Sequence, residues 1–113
     1  MKEIKAIVRP SKLPALREKL RGLAGFPGMT VSKAEGCSAP SLVHPSNVKE
    51  ELTDYTPKVR IEIVSPDEVA DSIVDAIVHT AQIGQIGDGL VWVTDVSRAV
   101  FLYKSVAGPA QRD

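Results

Sequence analysis

Three glycines and one aspartate fall within six residues, Gly84-Gln85-Ile86-Gly87-Asp88-Gly89, between a helical pattern and an apolar strand. Glycine admits positive φ and lets a ligand approach bare backbone. Successive N–H groups in such a turn form a concavity that holds anionic oxygens, typically phosphate. The GxxGxG spacing differs from the Walker and dinucleotide-binding fingerprints, and it precedes a strand where those precede a helix. The plainer reading is a tight loop from helix to strand, with Asp88 as its turn-former. No nucleophile paired with a base is visible around Asp88, so no catalytic residue is expected.

The remaining reactive side chains are scattered. Cys37 and His44 are separated by loop-like sequence, and two ligands do not make a metal site. No lysine or arginine stands close to Cys37 in sequence, which favours an inert thiol. His79, on a helix with Asp75 and Thr80, reads as a solvated or helix-end histidine. Lys58 and Glu62 share one face of a strand and read as a surface or interface ion pair.

These residues must be positioned by one domain, since 113 residues suffice for a single core. An apolar share of 43% and a charged share of 25% are ordinary for a globular protein. Fourteen basic residues balance fourteen acidic ones, so the broad positive footprint of a nucleic-acid binder is missing. Two Phe, two Tyr and one Trp are too few to stack several bases. No apolar run approaches the roughly 20 residues that span a bilayer, and the N-terminal residues lack a signal-peptide layout. A single cysteine excludes an internal disulfide. The expectation is a soluble cytoplasmic protein with no direct membrane insertion.

Residues 2–9 alternate as a half-buried strand, with Ile4, Ala6 and Val8 inward. Pro10 ends it, Ser11 is a candidate N-cap, and Leu13, Leu16, Leu20 and Leu23 mark an amphipathic helix. Met29 to Gly36 reads as a second strand. Residues 37–56 then lose all pattern, a long loop of the kind that tends to be functional or mobile. Lys58 to Val64 alternates again, with Val59, Ile61 and Ile63 on one face. Ser65-Pro66-Asp67-Glu68 reads as a capping box opening a second helix. Its buried stripe is Val69, Ala70, Ile73, Val74, Ile77, Val78 and Ala81. After the glycine loop (83–90) come a strand at Leu90 to Thr94 and an apolar segment around Ala99 to Tyr103. Residues 108–113 are expected to be a disordered tail to a domain spanning 1–107. The order β-α-β-loop-β-α-β predicts an α+β ferredoxin-like fold, βαββαβ, with helices on one face of an antiparallel sheet. Lys5, Ile7, Arg9, Arg60, Glu62 and Val64 on the other face suit a subunit interface or a ligand cleft.

Ile4-Lys5-Ala6-Ile7-Val8-Arg9-Pro10, Gly28-Met29-Thr30-Val31, Pro57 to Val64 and Ile86-Gly87-Asp88-Gly89 fall in the order and spacing of the PII signal-transduction family. The chain resembles that family nearly throughout, except in the long loop and the tail. The resemblance implies a homotrimer with adenine-nucleotide sites in the clefts between neighbours. It further implies that Gly87, Asp88 and Gly89, with Leu90 beside them, cradle phosphate. Ile7, Met29, Thr30, Gly36, Cys37, Lys58, Glu62 and Val64 would line the adenosine pocket or its rim. The long loop of such a protein answers to nucleotide and docks on a transporter or an enzyme. Ser41, Leu42, Val43, His44, Lys49 and Glu50 are the expected partner contacts.

Departures from the family pattern are equally informative. Leu90 stands where the family usually has a lysine, and Phe101 and Tyr103 stand where it has two arginines. Loss of these charge-assisted phosphate contacts tilts the expected preference from ATP toward ADP or AMP. Arg9, Lys58, Arg60 and Arg98 are the cations left to compensate in part. Cys37-Ser38-Ala39-Pro40 lacks the glutamine that anchors magnesium and 2-oxoglutarate, and Tyr55 lies outside the context of the modified tyrosine. Lys58 is the residue left to meet a small anion such as bicarbonate. The function expected is that of a regulator and not an enzyme. The alternatives are a metal-responsive trimer and a slow nucleotide hydrolase of the same fold.

Overall fold

The computed structural model describes residues 1–37 and 55–104. Four strands and two helices follow one another: β1 (Lys2–Val8), α1 (Leu13–Arg21), β2 (Thr30–Gly36), β3 (Thr56–Ser65), α2 (Asp67–Ala81) and β4 (Gly89–Asp95). The sheet order is β2-β3-β1-β4, with every neighbouring pair antiparallel. This is the ferredoxin-like α+β arrangement expected from the order of elements.

The alternating strands explain why the helices lie on one face. Ile4, Ala6 and Val8 of β1 and Val59, Ile61 and Ile63 of β3 are buried against Leu16 and Leu20 of α1 and Ile73 and Ile77 of α2. β1 and β3 are the central strands and carry the core, whereas β2 and β4 form the edges and are largely exposed. The opposite face presents Lys5, Ile7, Arg60 and Glu62, with Ile7 paired across the ladders to Arg60 and Leu90.

Several local expectations are corrected. Ser11 is not an N-cap. Arg9, restrained by the following proline, is extended, and a 3-10 turn over Pro10–Lys12 starts one residue before Ser11. Ser65 does not form a capping box, because the β1–β3 ladder runs on to pair it with Lys2. Its buried hydroxyl donates to the Pro66 carbonyl (3.0 Å), and Pro66 takes the cap position. Asp67 and Glu68 still place negative charge in the first turn of α2, where the helix dipole favours it. The strand at the glycine loop begins at Gly89, so Gly89 and Leu90 belong to β4. The apolar segment near the end turns as a 3-10 helix at Leu102–Lys104.

Val78 also leaves the predicted stripe. It is 39% exposed, and Ala76 is buried in the core instead. Val78→Ala should therefore change stability by less than about 1 kcal/mol, the better helix propensity of alanine offsetting the lost contacts. Urea unfolding checks this, and a loss of about 2 kcal/mol or more would put Val78 back in the core.

Candidate functional site

α2 ends as Gln82 turns to an extended conformation, its N–H still donating to the Val78 carbonyl (3.1 Å). The loop then folds around one carboxylate. Oδ2 of Asp88 accepts hydrogen bonds from the N–H groups of Ile83 (2.9 Å), Gly84 (2.9 Å) and Gln85 (3.2 Å). The Asp88 N–H returns to the Gln85 carbonyl (3.1 Å) and closes the turn. Arg9 enters from the end of β1, with one guanidinium nitrogen 3.3 Å from Asp88 Oδ1 and donating to the Ile86 carbonyl (3.2 Å). Neither Arg9 Nε nor Asp88 Oδ1, both buried, has a hydrogen-bond partner.

The N–H group of Ile83, followed by those of Gln85 and Gly84 and by Arg9, holds the Asp88 carboxyl below its ordinary range, against an opposing effect of burial. The concavity read from the glycine pattern is thus present, but three of its donors already face the chain's own carboxylate. Among the described residues, the N–H groups of Ile86 and Gly87 have no such partner.

Lys58 braces the same loop. It is buried, and Nζ donates to the Gly87 carbonyl (3.1 Å). Gly36 gives its stem room, since a Cβ there would lie 3.0 Å from Lys58 Cγ. Lys58 therefore serves the loop, and the expected pairing with Glu62 is not made. Glu62 instead lies opposite Lys5, with 4.0 Å between the charged atoms. Ile7, Gly36, Cys37, Lys58, Gly87, Asp88, Gly89 and Leu90 gather at this end of the sheet. Leu90 is exposed, at 58%.

Met29, Thr30, Glu62 and Val64 lie elsewhere. With Glu3, Gly28 and Phe101 they line a cavity of about 540 Å³ at the other end of β3. Along β3, Lys58 is four strand steps from Glu62, about 13 Å, and six from Val64, about 20 Å. Within one copy the two groups thus lie toward opposite ends of β3. The part played by Glu3 and Phe101 in this cavity escaped the sequence reading. Phe101 belongs to a segment without periodicity, so only its departure from the family's arginine drew notice.

The expected partner contacts Ser41, Leu42, Val43, His44, Lys49 and Glu50 lie outside the described residues, as does the tail 108–113. Among the described residues, no cluster of three His, Cys, Asp or Glu side chains could hold a metal. His79 Nδ1 is 3.0 Å from the Asp75 carbonyl on an exposed stretch of α2. No helix among the described residues is long and apolar enough to cross a membrane.

Comparison with known proteins accords with this geometry. A family model described as nitrogen regulatory protein P-II matches residues 1–105. Nitrogen regulatory protein P-II 1 of Escherichia coli (strain K12) is 44% identical over 102 residues, which cover 88% of this chain and 89% of that protein. The P-II proteins of Klebsiella oxytoca and Haemophilus influenzae are 43% and 40% identical, with the same coverage.

Proposed function

The chain belongs to the nitrogen regulatory protein P-II family, and on that premise we propose that it is a cytoplasmic signalling protein that binds adenine nucleotide between neighbouring copies. The observation that carries this reading is the division of the site. The glycine loop with Lys58 lies at one end of the sheet, and the cavity with Thr30, Glu62 and Val64 lies at the other. Both groups serve one ligand where the loop end of one copy faces the cavity end of the next, which a ring of three copies repeats without leftover surfaces. Nucleotide in that cleft would bias residues 37–56, which engage a transporter or an enzyme. The protein acts as a regulator and not as a catalyst.

The preference is tilted toward ADP or AMP. Leu90 and Phe101 bring no charge, and two of the compensating cations are already engaged, Arg9 with Asp88 and Lys58 with the Gly87 carbonyl. The remaining donors of Lys58 suit a small anion such as bicarbonate as co-effector. Calorimetric titration with ATP, ADP and AMP, with and without magnesium, bicarbonate and 2-oxoglutarate, tests the reading. ADP or AMP should bind about ten-fold tighter than ATP, with no response to 2-oxoglutarate. Tight magnesium-ATP binding strengthened by 2-oxoglutarate would overturn the preference, and no nucleotide binding at all would overturn the function.

A further inference from the structure

We propose that Arg9 is a positioning residue, which fixes the Ile86–Gly87 peptide so that its N–H faces the phosphate of the nucleotide. This deepens the nucleotide reading and rests on it. A trans peptide is planar, and its C=O and N–H point in opposite directions. One guanidinium nitrogen of Arg9 donates to the Ile86 carbonyl (3.2 Å), so it also sets the direction of the Gly87 N–H. That N–H and the one before it are the donors that the Asp88 carboxylate leaves unfilled. Gly87 has φ +100°, and glycine takes negative φ as readily, so the peptide before it turns over at little steric cost.

The next peptide is held at both ends. The Gly87 carbonyl accepts from Lys58 Nζ (3.1 Å), and the Asp88 N–H donates to the Gln85 carbonyl (3.1 Å). Among the described residues, the Ile86–Gly87 peptide is held by Arg9 alone. The same guanidinium nitrogen lies 3.3 Å from Asp88 Oδ1, a buried atom with no hydrogen-bond partner. Taking the guanidinium away leaves that oxygen as an acceptor on the side where the Ile86 carbonyl is held. A buried acceptor without a donor is destabilising. Turning the peptide over relieves it, because the Gly87 N–H then points toward the carboxylate. The same turn presents a carbonyl to the phosphate, and the loop repels the group that it otherwise binds. Arg9 thus acts through the loop and does not touch the ligand. Its loss should weaken phosphate-bearing nucleotides and spare adenosine.

The test compares the full wild-type chain with Arg9→Met, which keeps an apolar stem without the guanidinium, and with Arg9→Lys. Each is checked for an unchanged thermal transition. Calorimetry with adenosine, ADP and ATP reads the ligand side. Arg9→Met should lose about 10- to 150-fold for ADP and ATP by a common factor, as expected for one hydrogen bond to a charged group. Its adenosine affinity should be unchanged. Nuclear Overhauser contacts of the Gly87 N–H in the nucleotide-free protein read the peptide itself. A flip changes ψ of Ile86, so in Arg9→Met the contacts to Ile86 Hα and to the Ile86 N–H should exchange relative strength. Arg9→Lys keeps a charged donor for the carbonyl and should retain the wild-type pattern and most of the affinity. Unchanged ADP affinity in Arg9→Met would overturn the inference while leaving the nucleotide site standing. So would a loss that grows from ADP to ATP with the Overhauser pattern unmoved, because Arg9 would then meet phosphate directly. An equal loss of adenosine would also overturn it, since the whole site would have been damaged. A wild type that binds no nucleotide overturns this inference together with the proposed function.

Discussion

Gly89→Ala should unfold the loop end of the sheet and abolish nucleotide binding together. Gly89 has φ +104°, and a Cβ built there would lie 1.7 Å from the Ile7 carbonyl oxygen and 2.8 Å from its carbon. Those atoms are backbone of β1, the central strand that pairs with both β3 and β4. No rotamer relieves the contact. Either β4 leaves its register at Val8–Gly89, or the loop gives up the turn that closes on Asp88. The conformation alone costs about 1–3 kcal/mol on alanine, and displacement of the ladder adds to it. The damage therefore reaches beyond a phosphate cradle, which was all that the glycine pattern implied.

Gly84→Ala is the control. Its φ is +82°, but nothing stands within 4 Å of the added Cβ, so only the backbone conformation is charged against it. Thermal melts should show a modest fall for Gly84→Ala and a large one for Gly89→Ala. Calorimetry should show nucleotide binding weakened in the first and absent in the second. Equal behaviour of the two variants would refute the steric argument, since both have positive φ and the Cβ meets backbone only at Gly89.

The contrast between these two glycines also marks what the sequence made legible. Alternation in Ile4-Ala6-Val8 and Val59-Ile61-Ile63 is dictated by burial on one sheet face, so fold and core were readable from spacing. The glycines were readable as a turn, because few other residues take positive φ. Their neighbours were not. That Gly89 sits against the Ile7 carbonyl, that Lys58 reaches Gly87 and not Glu62, and that Phe101 enters a cavity with Glu3 are contacts between distant segments. Strand register sets the first two, and no local pattern encodes it. The caps failed for a related reason: Ser11 and Ser65 have the right residue type, but the 3-10 turn and the longer β3 ladder moved the helix starts past them.

Asp88→Ala should disorder the loop without touching the core. The carboxylate is the acceptor for three consecutive N–H groups and faces Arg9 with its other oxygen, so its removal strands all of these at once. Amide exchange at residues 83–85 should accelerate, and the melting temperature should fall by a few degrees. Asp88→Asn keeps one acceptor oxygen but turns an amide toward the guanidinium, so it should fall between. Acid sensitivity separates charge from shape. Because the native carboxyl is held below its ordinary value, near 3.9, the stability it contributes is complete above that value. It is lost as pH falls further, through the depressed native value, since the unfolded chain there binds a proton that the native chain refuses. Wild type should therefore lose stability over that interval more steeply than Asp88→Asn, and equal slopes would remove the charge from the argument. Nucleotide affinity decides the remaining question, whether the carboxylate competes with phosphate or organises its seat. It fills the donors of Ile83, Gly84 and Gln85 and leaves those of Ile86 and Gly87, held in place by the same turn, for a ligand. Affinity should thus fall in Asp88→Ala. A rise would mean that the aspartate had been standing in for the phosphate itself.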